Sequence, residues 1–89
     1  MIKIYRKTIE MMAKEAFDVI NKQKNEIISV EFNFKSMGFV TVGVEEKTTQ
    51  PRGIENIAIC TRYMANLTKE EFVELVINRT ESNTYYIVL

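Results

Sequence analysis

The residue types that carry most protein chemistry are thinly represented in this chain, which has one cysteine, Cys60, and no histidine. A thiol becomes a nucleophile when a neighbouring base or cation lowers its pKa, and histidine is the commonest such base. Arg62 cannot serve as that base, so Cys60 reads as a small buried hydrophobe in a strand. Two carboxylate pairs, Glu45/Glu46 and Glu70/Glu71, raise two-carboxylate acid–base chemistry. Neighbouring residues of a strand point to opposite faces, so Glu45 and Glu46 cannot share a substrate if the preceding strand continues through them. Glu70 and Glu71 fall in the first turn of a helix, where negative charge stabilises the positive end of the helix dipole. Gly38, Gly43 and Gly53 match no nucleotide-binding pattern. The expectation is a protein that is not an enzyme.

Metal and cofactor chemistry is equally poorly supplied. One cysteine and no histidine provide neither an internal disulfide nor a Cys/His zinc site. Asp18 is the only aspartate, so no Asp-rich loop for Mg²⁺ or Ca²⁺ is present. Neither a metal nor a cofactor is expected.

Charge and length narrow the field further. Eighty-nine residues with 46% hydrophobic content can fill one core and suit one domain, 1–89. Twelve Lys+Arg balance twelve Asp+Glu, whereas a nucleic-acid module usually carries a basic excess that replaces counterions on phosphate. No run of about eighteen apolar residues suggests a membrane span, and the charged segment Met1 to Lys7 lacks the apolar stretch of a signal peptide. A cytoplasmic location is the expectation. Asn66-Leu67-Thr68 and Asn78-Arg79-Thr80 match the glycosylation pattern, but without a secretory signal they carry no weight. The chain is rich in Ile, Lys and Asn and poor in Gly, Ala, Arg and Pro, a bias that suggests an AT-rich genome, such as a low-GC bacterium or its phages and plasmids.

The elements that must position any site follow from periodicity. Tyr5 to Lys22 reads as an amphipathic helix, with Tyr5, Ile9, Met12, Ala13, Ala16, Phe17 and Ile20 on one stripe. Glu10 with Lys14 and Asp18 with Lys22 add i,i+4 pairs worth roughly 0.2–0.5 kcal/mol each. Ile28, Val30, Phe32 and Phe34 alternate with polar residues as a half-buried strand does. Ser36-Met37-Gly38 supplies a turn, and Val40, Val42 and Val44 continue the alternation, which predicts a hairpin. Glu45 to Gly53 is a polar loop. Ile54 to Met64 returns to strand character with apolar residues on both faces, as in a central strand.

Thr68 followed by Glu71 forms a capping box, and Leu67 and Phe72 make a hydrophobic staple, so a second helix starts there and runs to about Thr80. Thr84 to Leu89 predicts a final strand. The fold class is α+β in the order α-β-β-β-α-β, with two helices packed on one face of a mostly antiparallel sheet.

Helix, three strands, helix resembles the element order of the double-stranded RNA-binding domain. That family clamps phosphate with lysines at the start of its second helix, where this chain has Lys69 followed by Glu70 and Glu71. The basic residues left to an RNA or DNA reading are Lys3, Arg6, Lys7, Lys47, Arg52 and Arg62.

A protein partner is the favoured expectation. Lys47, Thr48, Thr49, Gln50 and Arg52 present hydrogen-bonding groups on a loop between strands, where binding residues concentrate. Met11, Val19, Tyr85 and Tyr86 are candidates for an exposed apolar or aromatic patch. Thr84 to Leu89 lacks the Pro and Lys that blunt an edge, so it is either internal to the sheet or a site of self-association or strand addition. The composite reading is a small protein-interaction domain, such as a phage- or mobile-element-encoded inhibitor or accessory factor.

Overall fold

The computed structural model describes residues 2–23, 27–43 and 55–89. Five strands and three helices follow in the order β1 (Ile2–Tyr5), α1 (Arg6–Gln23), β2 (Ile27–Asn33), β3 (Gly38–Gly43), β4 (Asn56–Cys60), α2 (Thr61–Met64), α3 (Lys69–Glu81) and β5 (Tyr85–Val88). The α+β class is as expected, but the order gains β1 and α2. The single sheet is also replaced by two: an antiparallel sheet ordered β3-β2-β4 and a parallel pair, β1-β5.

Helix α1 buries the stripe that its spacing predicts: Ile9, Met12, Ala13, Ala16, Phe17 and Ile20. Ala13 and Ala16 are fully buried, and their small size lets the helix axis come close to its neighbours. Tyr5 is not part of the stripe. It belongs to β1 and is 65% exposed, because the chain enters α1 directly from a strand. Phe72 of α3 meets Phe17 of α1 at 5.6 Å between ring centroids and Phe32 of β2 at 6.5 Å, joining both helices to the sheet. Burying an aromatic side chain of that size contributes roughly 1.5–3 kcal/mol.

The hairpin forms, with a different register from the simple alternation. Asn33 Oδ1 accepts from the amides of Lys35 and Ser36, at 3.0 Å each, and this local turn occupies Phe34 to Met37. Met37 takes φ 62°, a left-handed conformation that costs most non-glycine residues. Phe32 then pairs with Phe39, and Glu31 with Val40. Side chains change face at each residue, so Phe39 packs on the core while Val40 is 59% exposed on the other face. A bulge between Ile27 and Ser29 likewise buries Ile27 and turns Ile28 outward. The expected inward positions of Val40 and Ile28 are therefore corrected by turn length and by the bulge.

The predicted strand 54–64 ends at Cys60. Thr61 Oγ1 donates toward the carbonyls of Ile27 and Ile28, at 2.9 and 3.0 Å, and the chain turns there into α2. Among the described residues β4 pairs with β2 alone, so the central strand is β2. Helix α3 begins as its capping box predicts: the Glu71 amide donates to Thr68 Oγ1 at 3.2 Å and the Thr68 amide to Glu71 Oε1 at 3.1 Å. Leu67, half-buried, packs against the core.

Candidate functional site

The loop residues singled out from sequence, Lys47, Thr48, Thr49, Gln50 and Arg52, lie outside the described residues, as do Glu45 and Glu46. Tyr85 is not a surface residue: it is 3% exposed, with its ring edge-on to Phe34 at 5.5 Å. Its hydroxyl accepts from the Phe34 and Lys35 amides, at 3.1 and 3.3 Å, and donates to the Glu55 carbonyl at 2.7 Å. The strand places it on the core side, so it knits β5 to the hairpin turn and the start of β4. Tyr86 points the other way and is 54% exposed. Met11 and Val19 are exposed on α1. Cys60 is half-buried at the end of β4, opposite Ser29 in register.

Several charges are committed to holding the helices together. Arg6 Nε donates to Glu10 at 3.1 Å and Arg6 Nη2 to Glu74 at 2.8 Å, linking α1 to α3. Lys69 Nζ contacts Asp18 at 2.8 Å, so the one lysine in the position of a phosphate clamp is already paired with a carboxylate. Among the described residues no three His, Cys, Asp or Glu side chains gather as a metal site would require.

A shallow groove of about 610 Å³ is lined by residues of α2, α3 and the segment that joins them. Tyr63, 69% exposed, rises on its α2 wall, and Leu67 and Leu75 supply apolar surface. Glu70, Glu71 and Glu74 border it along α3, with Arg79 toward the far end of the helix. The spacing of positions 71, 74, 75 and 78 places them on one face of α3, and Leu67, just before the N-cap, extends that surface. Sequence reasoning misplaced Tyr63 by extending β4 through it. The signal available was Thr61, whose hydroxyl competes for local backbone carbonyls and favours a chain turn.

A smaller groove of about 290 Å³ lies at the hairpin end of the sheet, beside Phe39, Val40, Asn33 and Asn56. Its amides serve the fold: Asn33 Nδ2 donates to Asn56 Oδ1 at 2.7 Å while Asn33 Oδ1 holds the turn. No protein-family model, curated protein or solved structure matches the chain.

Proposed function

We propose that this chain is a non-enzymatic protein-interaction domain that docks a partner protein in the groove between α2 and α3. One observation carries the reading: an exposed tyrosine and two leucines, Tyr63, Leu67 and Leu75, share a concave surface bordered by three glutamates. An apolar centre within a polar rim is the anatomy of a binding surface, and tyrosine is among the residue types that dominate binding energy. Glu74 is partly neutralised by Arg6 and Glu71 serves the helix cap, which leaves Glu70 as the most available charge. The chemistry favours a partner segment that joins an aliphatic or aromatic anchor to Lys or Arg. A domain of this kind acts by occupying its partner's surface, which suits an inhibitor or accessory factor.

The test is selection of binding sequences from a displayed random-peptide library, with wild-type protein and with Y63S, L75S and E70K. Enrichment of peptides that pair basic and apolar residues, lost in Y63S and L75S and weakened in E70K, is the expected result. Peptides indifferent to all three substitutions would overturn the groove assignment. Retention of nucleic acid from the same host, falling as salt rises, would favour the RNA- or DNA-binding alternative.

A further inference from the structure

Among the described residues, strands β1 and β5 form a parallel pair with no third strand, with Ile2 opposite Tyr85, Lys3 opposite Tyr86, Ile4 opposite Ile87 and Tyr5 opposite Val88. Two-stranded sheets are marginal on their own, and parallel strands usually occur within larger, covered sheets. Ile4 and Tyr85 are buried on the core side, with Ile2 and Ile87 packed beside them. Lys3, Tyr5 and Tyr86 are exposed on the opposite face.

The direction of the backbone groups decides which edge is open. The Ile2 amide donates to the Thr84 carbonyl at 3.3 Å. Along a parallel ladder, alternate residues of a strand turn their N–H and C=O to the same neighbour. Ile2 and Ile4 therefore address β5, while Lys3 and Tyr5 turn theirs away from it. Both are exposed, and among the described residues no strand pairs with β1 on that side. On β5 the outward pair is Tyr85 and Ile87, and Tyr85 is covered by the hairpin turn, which denies a new strand that edge. Among the described residues the open edge of this ribbon belongs to β1.

We propose that two copies of the chain pair through β1, antiparallel across a two-fold axis at Ile4, to make a continuous sheet ordered β5-β1-β1-β5. A two-fold interface applies the same surface to itself. With the axis at Ile4, Lys3 stands opposite the partner's Tyr5, and Tyr5 opposite the partner's Lys3. Each is a hydrogen-bonded antiparallel pair, because these are the residues whose backbone groups face outward. The two lysines never meet. Each ammonium instead lies beside an exposed tyrosine ring, a favourable cation–π arrangement. Ile4 meets the partner's Ile4 as a close non-hydrogen-bonded pair continuous with the apolar side of the sheet. The chain's zero net charge places no long-range repulsion between copies. This self-complementarity favours a second copy over an unrelated strand, and it is independent of the groove.

Lys3→Pro isolates the interaction. Proline removes the outward N–H of Lys3 and leaves both bonds that Ile2 makes to β5, and proline is tolerated in an edge strand whose N–H faces away from the ladder. Sedimentation equilibrium, carried to about 0.1 mM because an interface of this size is in the weak class, reads the outcome. The wild-type chain is expected to move from 10.4 kDa toward twice that mass as concentration rises, while K3P stays monomeric with an unchanged circular-dichroism spectrum. A wild-type chain that remains monomeric throughout, or a folded K3P that dimerises like it, overturns the proposal. Y5K offers a second reading at an exposed position should K3P fail to fold. It sets a second ammonium opposite the partner's Lys3 and is expected to weaken the dimer at least tenfold, with recovery in the K3E/Y5K double variant. Undiminished dimerisation of Y5K also overturns it.

Discussion

The hydroxyl of Tyr85 donates to the carbonyl of Glu55 at 2.7 Å, across thirty residues of chain. The same oxygen accepts from the amides of Phe34 and Lys35, so one phenol closes contacts between β5, the hairpin turn and the start of β4. These partners belong to the backbone, and backbone groups left unpaired near the core are costly. The bond therefore couples the parallel ribbon to the antiparallel sheet, which share no ladder among the described residues.

Tyr85→Phe keeps the ring and removes only that junction. A loss of roughly 1–3 kcal/mol in unfolding free energy is expected, since the Phe34 amide and the Glu55 carbonyl lose their partner together while the Lys35 amide keeps Asn33 Oδ1. Urea denaturation of the two proteins measures it. A change below about 0.5 kcal/mol would mean that water replaces the phenol without penalty.

Phe72 is fully buried between Phe17 and Phe32. Phe72→Ala is expected to cost about 3–5 kcal/mol, through lost burial and the cavity left behind. Because small domains are stable by only about 5–15 kcal/mol, the variant should unfold at a much lower urea concentration than wild type. Phe72→Leu, which keeps most of the volume, should lose considerably less. Equal losses would show that the site collapses around either substitution.

Thr80 presents the opposite case. It is completely buried, and its hydroxyl bonds at 2.7 Å to the carbonyl of Val76, one turn earlier in α3. Such a back-bond adds little to a helical carbonyl that already has its amide partner. Thr80→Val is therefore expected to leave stability within about 0.5 kcal/mol or to raise it, since the polar atom goes and the shape stays. Thr80→Ala removes a methyl group as well and should destabilise by about 1 kcal/mol. Thermal unfolding of both variants gives the comparison.

Where the chain had a strong local signal, its sequence and its structure agree. The α1 stripe from Ile9 to Ile20 and the Thr68–Glu71 capping box are decided within a few residues, by helical spacing and by side chains that satisfy the first turn. The disagreements arise where longer-range geometry decides. Val40 faces outward because a four-residue turn shifts β3 relative to β2, and nothing in Val40-Thr41-Val42 itself sets that register. The four residues of β1 are too few to show a period, and they become a strand only because β5 lies alongside. Tyr86 and Tyr85 look alike in sequence, yet the pleat sends one to solvent and the other to the core. Tyr63 lines the candidate groove because β4 stops at Cys60 and the chain turns into α2.

The register of the parallel ribbon also bears on how the chain folds. Ile2 is opposite Tyr85, so β1 can pair only with a strand that lies beyond every other described element in sequence. Pairings so distant in sequence close slowly, because most of the chain must be ordered before they form. The hairpin and the two long helices involve nearer neighbours and can assemble first. During that interval β1 is a short apolar strand with both edges bare, and its capture by β5 should be a late event in folding. Substitutions in the ribbon should accordingly speed unfolding while leaving the folding rate almost unchanged.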